Sequence, residues 1–256
     1  MKRLKFAANL TTLFKDIPDH IESYKEILNR KDFRFKAVEA QDPYQNSLND
    51  WKNVIEKAGD SRPEFVLINS VNLMKKYPEF PTEKQFENEL NLLGEYVKTL
   101  NVRKVHMMLT LTESNTIDER TKKLLIQGAR FLNRMNVMCL IEPLYLNGIP
   151  YYLRSYDDAL NLVKELNEPN LKIMFDTYHC QRLHGNICHY IDLLKDHIGH
   201  VQISQVPLRD NPFNDGELNH DFILRKLSTV YDDYIGLEYY SDHATDTFDW
   251  VKKYAE

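Results

Sequence analysis

Glycine is scarce, with 8 residues in 256, well below the roughly 7% usual in globular chains. No two of them lie close enough to form a G-x-G-x-x-G or a Walker loop, which excludes the usual glycine-rich phosphate cradles. Cysteine is nearly absent. Cys139, Cys180 and Cys188 are odd in number and include no C-x-x-C, which argues against a disulfide framework and for a reducing, cytoplasmic setting. No stretch of 18 apolar residues occurs, so no membrane span is expected. The basic start at Lys2 and Arg3 is followed by Asn9, Thr11 and Thr12, which interrupt the apolar run and make a poor signal peptide. Positive charge is also short. The net charge of −5 gives no general attraction to nucleic acid or anionic lipid. No Pro/Ser-rich linker or low-complexity tract divides the chain, so residues 1–256 are read as a single domain.

What is present is repetition. Short β-rich runs recur about every 30 residues, the size of one strand–helix unit. They are Leu4–Leu10, Lys36–Ala40, Phe65–Asn69, Lys104–Leu109, Met138–Glu142, Lys172–Asp176, His200–Ser204 and Ile235–Tyr239. Between them lie stripes of helical period: Glu87, Leu90, Leu93, Tyr96, Val97 and Leu100; Leu124, Leu125, Ala129 and Leu132; Ala159, Leu160, Val163 and Leu166. Thr82 with Gln85, and Ser155 with Asp158, have the spacing of helix-opening capping boxes. Eight alternations in about 250 residues is the arithmetic of an α/β (β/α)8 TIM barrel. The apolar strand middles fit parallel strands buried on both faces. A doubly wound open sheet is the competitor, disfavoured by the strand count of eight.

A barrel places its chemistry at the C-terminal ends of its strands. The last four candidate strands each finish on an oxygen-bearing side chain: Glu142, Asp176, Gln202 and Glu238. Carboxylates are rarely buried without a partner. Each could cap a strand or pair with a local Lys or Arg. All four on consecutive strands fit better as a hard, all-oxygen site for a divalent metal ion, Mg²⁺ or Mn²⁺. His106, closing the fourth strand, points to the same mouth. The segment His179-Cys180, His184, Cys188-His189 fits no usual zinc spacing.

These residues carry a family resemblance. Phe175-Asp176-Thr177-Tyr178-His179-Cys180-Gln181 with Gly185-Asn186 is its most specific part. Gly199-His200-Val201-Gln202-Ile203 leads on to Val206-Pro207 and Arg209, and Gly216-Glu217-Leu218-Asn219 and Gly236-Leu237-Glu238-Tyr239 follow. Phe6-Ala7-Ala8-Asn9-Leu10, Ala37-Val38-Glu39 with Pro43-Tyr44, and Lys104-Val105-His106-Met107-Met108 extend it toward the N-terminus. The chain resembles the hydroxypyruvate isomerase family within the xylose-isomerase-like barrels. The resemblance implies a metal held by Glu142, Asp176, Gln202 and Glu238, with Glu142 and Glu238 also the catalytic proton carriers. It implies substrate contacts from His179 and Arg209, and His106 joins them as a third substrate-binding candidate. Three loops depart from the family pattern: Tyr240-Ser241-Asp242-His243, Leu109-Thr110-Leu111, and a shortened stretch around Ser70–Phe80. All lie at the expected barrel mouth, where substrate is chosen.

The implied reaction interconverts hydroxypyruvate and 2-hydroxy-3-oxopropanoate (tartronate semialdehyde) through a cis-enediolate. One glutamate removes a carbon-bound proton and the other returns one. A ketose 3-epimerase, another small-sugar isomerase of the same barrel, or a non-catalytic binding descendant are the alternatives. A phosphate-binding barrel would want glycine after the seventh strand, where Ser204-Gln205-Val206-Pro207 has none. A nucleic-acid-acting relative would want a basic face. The expected partner is a small hydroxy-keto acid or ketose, with no nucleic acid and no membrane. The sequence leaves oligomeric state open, a homo-oligomer included.

Overall fold

A computed structural model describes residues 2–77, 79–109, 117–149, 151–242 and 247–255, with the side chains of Ser61 and Met74 set aside. The expected loop departures at Thr110, Leu111 and His243 lie outside the described residues. Strand and helix alternate along the chain as β1 (Lys5–Asn9), α1 (His20–Asn29), β2 (Ala37–Ala40), α2 (Leu48–Ala58), β3 (Glu64–Asn69), α3 (Leu73–Lys76), α4 (Glu83–Leu100) and β4 (Lys104–His106). The second half continues with α5 (Glu119–Asn133), β5 (Met138–Ile141), α6 (Tyr156–Leu166), β6 (Leu171–Asp176), α7 (Thr177–Leu183), α8 (Ile187–Leu194), β7 (Ile198–Ile203), α9 (His220–Leu227), β8 (Tyr234–Leu237) and α10 (Asp249–Tyr254). The eight strands run parallel in sequence order and β1 pairs with β8, which closes the barrel.

All eight predicted strands are present. β4 ends three residues early, because the chain leaves the ladder after His106. Met107 N–H still reaches the Leu140 carbonyl at 2.9 Å, and Met108 N–H turns to Ser70 Oγ at 2.8 Å. β7 starts two residues early, at Ile198. There Gly199 packs so closely that a Cβ would stand 2.5 Å from Met138 Sδ and 2.6 Å from Leu140 Cδ2.

The helices begin where their caps predict. Thr82 and Gln85 form the full reciprocal box of α4. Ser155 Oγ accepts the Asp158 N–H at 3.3 Å to start α6. Along α4 the stripe Leu90, Leu93, Tyr96, Val97 and Leu100 is buried, whereas Glu87 faces solvent and pairs with Lys84. Phe86, one residue earlier, takes the buried place. The main core lies between barrel and helices. A separate cluster of Ala7, Ala37, Val66, Leu67, Leu140 and Met174 joins five strands and fills the barrel's lower interior.

Candidate active site

Strand periodicity brings the strand-end groups together. Successive side chains alternate faces, so Gln202 follows His200 on one face of β7, and Asp176 follows Met174 on β6. Asp176 and Gln202 are direct partners in the ladder. Glu142 and Glu238 each stand one residue beyond their strands, β5 and β8. All four side chains are buried, at 0–4% exposure, with His106 and His179 buried beside them. Arg209 joins them through Asp176 and Glu238.

Their connections are uneven. Asp176 caps α7 by accepting the Tyr178 N–H at 2.7 Å through Oδ1. Its Oδ2 accepts from Arg209 at 3.1 Å. The same guanidinium nitrogen donates to Glu238, whose Oε1 also accepts from Gln41 Nε2 at 2.6 Å. Arg209 thus bridges two of the carboxylates. It sits at φ +55°, a left-handed conformation that costs a side-chain-bearing residue about 1 kcal/mol. Gln205 holds its loop, donating to the carbonyls of Pro212, Asn214 and Leu218 at 3.1 Å each.

Glu142, Asp176 and His179 place one ligand-type atom each within 4.8 Å of one another. The imidazole is the odd member. His179 Nδ1 accepts the Tyr145 N–H at 3.0 Å, so in the neutral ring the proton sits on Nε2. That nitrogen, 3.8 Å from Asp176 Oδ2, faces the site as a donor rather than as a metal ligand. Burial and the charge of Arg209 keep the ring neutral, well below the usual histidine range.

The electrostatics are those of crowded acids. Burial, reinforced by the charges of Glu238 and Asp176, holds the Glu142 carboxyl well above its ordinary range. Burial lifts Asp176 and Glu238 to about 7, although Arg209 pulls both down. Burial works against the charge of Arg209 too, but Glu238 and Asp176 outweigh it and keep the guanidinium ionised. His106 is pushed down to about 3 by burial. Its Nδ1 stands 3.6 Å from Glu142 Oε2, and neither ring nitrogen finds a protein partner.

Glu142 Oε1 and Gln202 Oε1 are likewise buried without a protein partner. Orphaned buried oxygens are rare in folded proteins and call for an explanation. Hard oxygen donors from Glu142, Asp176, Gln202 and Glu238, three of them acids whose protons an ion could displace, fit a divalent cation.

Comparison with known proteins agrees with this architecture. The family described as Xylose isomerase-like TIM barrel matches residues 28–256. The chain belongs to that family. It is 29% identical to the 2-oxo-tetronate isomerase of Haemophilus influenzae over 98% of this chain and 99% of that one. It is 26% identical to the hydroxypyruvate isomerase of Escherichia coli, with the same coverage. A crystal structure titled AP endonuclease, family 2, from Brucella melitensis superposes with a TM-score of 0.84 at 26% identity, covering 99% of this chain and 100% of that one.

In this xylose isomerase-like barrel, one acid escaped the strand-end criterion. Glu39 lies inside β2, 1% exposed, where the sequence reading placed it only within a family match. Its Oε1 accepts from Asn9 and from Gln202, each at 2.9 Å, and its Oε2 meets His200 Nε2 at 2.8 Å. Burial raises it to about 7. The signal was available, because a carboxylate in Ala37-Val38-Glu39-Ala40 is as anomalous as one in Ile141-Glu142.

Proposed function

We propose that this chain is an isomerase of short hydroxy-keto acids, interconverting hydroxypyruvate and 2-hydroxy-3-oxopropanoate. Glu142 and Glu238 carry the protons, and the site depends on a divalent ion, Mg²⁺ or Mn²⁺. The observation that carries the reading is the buried trio Glu142, Asp176 and Glu238 at the barrel mouth, with Glu142 Oε1 and Gln202 Oε1 left unpartnered.

Glu142, Asp176, Gln202 and Glu238 are the residues that would hold the ion. When bound, such an ion supplies Lewis-acid stabilisation of negative charge on two neighbouring substrate oxygens. The protein does the rest. Moving a carbonyl one carbon along the acid requires taking a proton from the hydroxyl-bearing carbon, returning one to its neighbour, and passing the hydroxyl proton to the former carbonyl oxygen. A carboxylate that removes the carbon-bound proton must be basic, and a buried acid lifted to about 7, as Glu238 is, meets that need at neutral pH. One of Glu142 and Glu238 takes the proton on a carboxylate oxygen while the other, protonated, gives one back. His179 Nε2–H donates to a substrate oxygen. The Arg209 fork suits the substrate carboxylate, and its stacking on Tyr178, 5.0 Å from the ring centroid, holds it at the mouth. Burial excludes water, which strengthens each of these charges.

A second reading has its own support. A cavity of about 410 Å³ opens beside Gln41, with Thr11, Asn69, Ser70, Asn72 and Lys75 among its lining residues. Gln41 is the residue bonded to Glu238, so this space adjoins the proposed acid–base pair. It has room for a chain longer than three carbons, as in a four-carbon acid or a ketose undergoing 3-epimerisation. The net charge of −5 favours a small-molecule substrate over a phosphodiester backbone, and a cytoplasmic enzyme suits the free cysteines. Among the described residues no helix is long and apolar enough to cross a membrane.

The test is turnover of hydroxypyruvate, four-carbon 2-oxo acids and short ketoses, each with Mg²⁺, Mn²⁺ and Co²⁺. Hydroxypyruvate should be isomerised only with metal. Undiminished turnover after exhaustive chelation overturns the metal reading, and activity confined to ketoses overturns the substrate.

A further inference from the structure

Glu39 lies within its strand rather than at a strand end, and two of the three groups facing it, Asn9 and His200, are donors whose other end is already fixed. Asn9 Oδ1 accepts the N–H groups of Thr11 and Thr12 at 2.9 and 3.1 Å, which leaves Asn9 Nδ2 to point at Glu39. Lys104 is held by Asp233 at 2.9 Å and by Tyr231 Oη at 3.1 Å. It stands 3.3 Å from His200 Nδ1, which makes that nitrogen the acceptor and puts the ring proton on Nε2, toward Glu39. With Asn9 giving a hydrogen to one of its oxygens and His200 to the other, Glu39 is the acceptor of the cluster. The third neighbour, Gln202, must therefore turn its amide NH₂ to Glu39, and its oxygen is forced the other way, into the mouth.

A second observation bears on the same point. Gly236, the ladder partner of Gln202 on β8, lies so close to Glu39 that a Cβ would stand 2.3 Å from Oε2 and 2.4 Å from Oε1. The missing side chain is the space in which the Glu39 carboxylate sits. The chain Asp233–Lys104–His200–Glu39–Gln202 thus runs up the barrel interior with its hydrogen-bond directions set. It ends on the unpartnered Gln202 Oε1.

We infer that Glu39 is the positioning residue of the site: its carboxylate fixes the flip of the Gln202 amide, so that an oxygen rather than an NH₂ is presented to the cation. This rests on the metal reading above. Without Glu39, the donors of Asn9 and His200 would draw the Gln202 oxygen inward, and the amide would offer its nitrogen to the ion.

The experiment is Mn²⁺ binding to the metal-stripped full chain by calorimetry, for wild type, Glu39→Ala, Gln202→Ala and the double variant. Groups that orient a metal ligand typically contribute about 10–100-fold in affinity. Glu39→Ala should cost that much with Gln202 present and less than about threefold with Gln202→Ala, because its effect passes through that amide. An equal loss in both backgrounds means that Glu39 acts by charge or by general stability, and overturns the inference. Gly236→Ala, which keeps the charge but displaces the carboxylate, should lose affinity only with Gln202 present. It carries the test if Glu39→Ala does not fold, and unaltered binding by it overturns the inference as well. Wild type failing to bind Mn²⁺ instead overturns the metal reading on which the inference stands.

Discussion

Replacing Glu238 by Gln tests the buried charge at the mouth by a route that needs no substrate. The Glu238 carboxyl is 4% exposed and sits at about 7, against 4.5 for an ordinary glutamate. A raised value means the folded state holds the proton more tightly than the unfolded chain does. The stabilisation is complete below pH 4.5 and is lost as pH rises through 7. At about 1.4 kcal/mol per pH unit over that interval, the group costs the metal-free fold on the order of 2–3 kcal/mol between pH 5 and pH 8. The amide in the Glu238→Gln variant cannot titrate, so the variant is spared this loss. The buried rings of His106, His179, His200 and His220, lowered by burial, work in the opposite direction, but both proteins share them and they cancel in the comparison. Any fixed effect of losing the charged contacts to Arg209 and Gln41 cancels in the same way between the two pH values. Urea or thermal unfolding in chelator should show the variant gaining on wild type by roughly 2–3 kcal/mol from pH 5 to pH 8. In a chain of this size that is roughly 5–10 °C of melting temperature. Asp176, which the charge of Glu238 raises further, can only add to it. A difference that stays flat with pH, or that moves the other way, refutes the placement of an unneutralised acid at the barrel mouth.

Glu142→Gln should lower turnover of hydroxypyruvate by at least about 100-fold while circular dichroism remains that of the wild type; full activity would remove Glu142 from the chemistry. Mn²⁺ affinity should rise from pH 6 to pH 8, by up to about tenfold for each of Asp176 and Glu238, because at pH 6 both hold protons that an ion must displace; calorimetry showing no pH dependence contradicts this. Arg209→Gln takes away the cation touching Asp176 and Glu238, so Mn²⁺ should bind about tenfold tighter at pH 8, and weaker binding would make Arg209 an organiser of the site rather than a competitor. Gly199→Ala forces a methyl against Met138, Leu140 and Lys172 and should cost about 1–3 kcal/mol in denaturant unfolding, with specific activity of the folded fraction unchanged.

The barrel was legible because its strands are short apolar runs at even spacing, and parallel strands covered on both faces have to read that way. The mouth was legible for the opposite reason. Glu142, Asp176, Gln202 and Glu238 each break an apolar run at its end, and a barrel sends strand ends to one rim. Boundaries were less visible where pairing rather than pattern decides them. Met107 and Leu109 are as buried as strand residues, but after Met107 the backbone N–H turns from β5 to a loop serine. Glu87 matched the α4 period yet turned to solvent, since the helix had Phe86 to bury in its place.

What the sequence could not convey is direction. It shows an arginine after β7 and a glutamate within β2, but not that Arg209 reaches back across two strands to Asp176 and Glu238, nor that Glu39 accepts from three donors at once. The second fact depends on space left by small residues elsewhere. Ala7, Ala37 and Gly236, on three adjoining strands, carry little or no side chain inside the barrel, and what fills the gap is decided only when the strands close. A carboxylate fits there at tolerable cost because Asn9, His200 and Gln202 all present hydrogens to it. The same three contacts make it a poor place for any residue that donates. A single β2 substitution with a donor at position 39 should therefore disturb the fold and the mouth together, whereas changes at Gln202 should disturb the mouth alone.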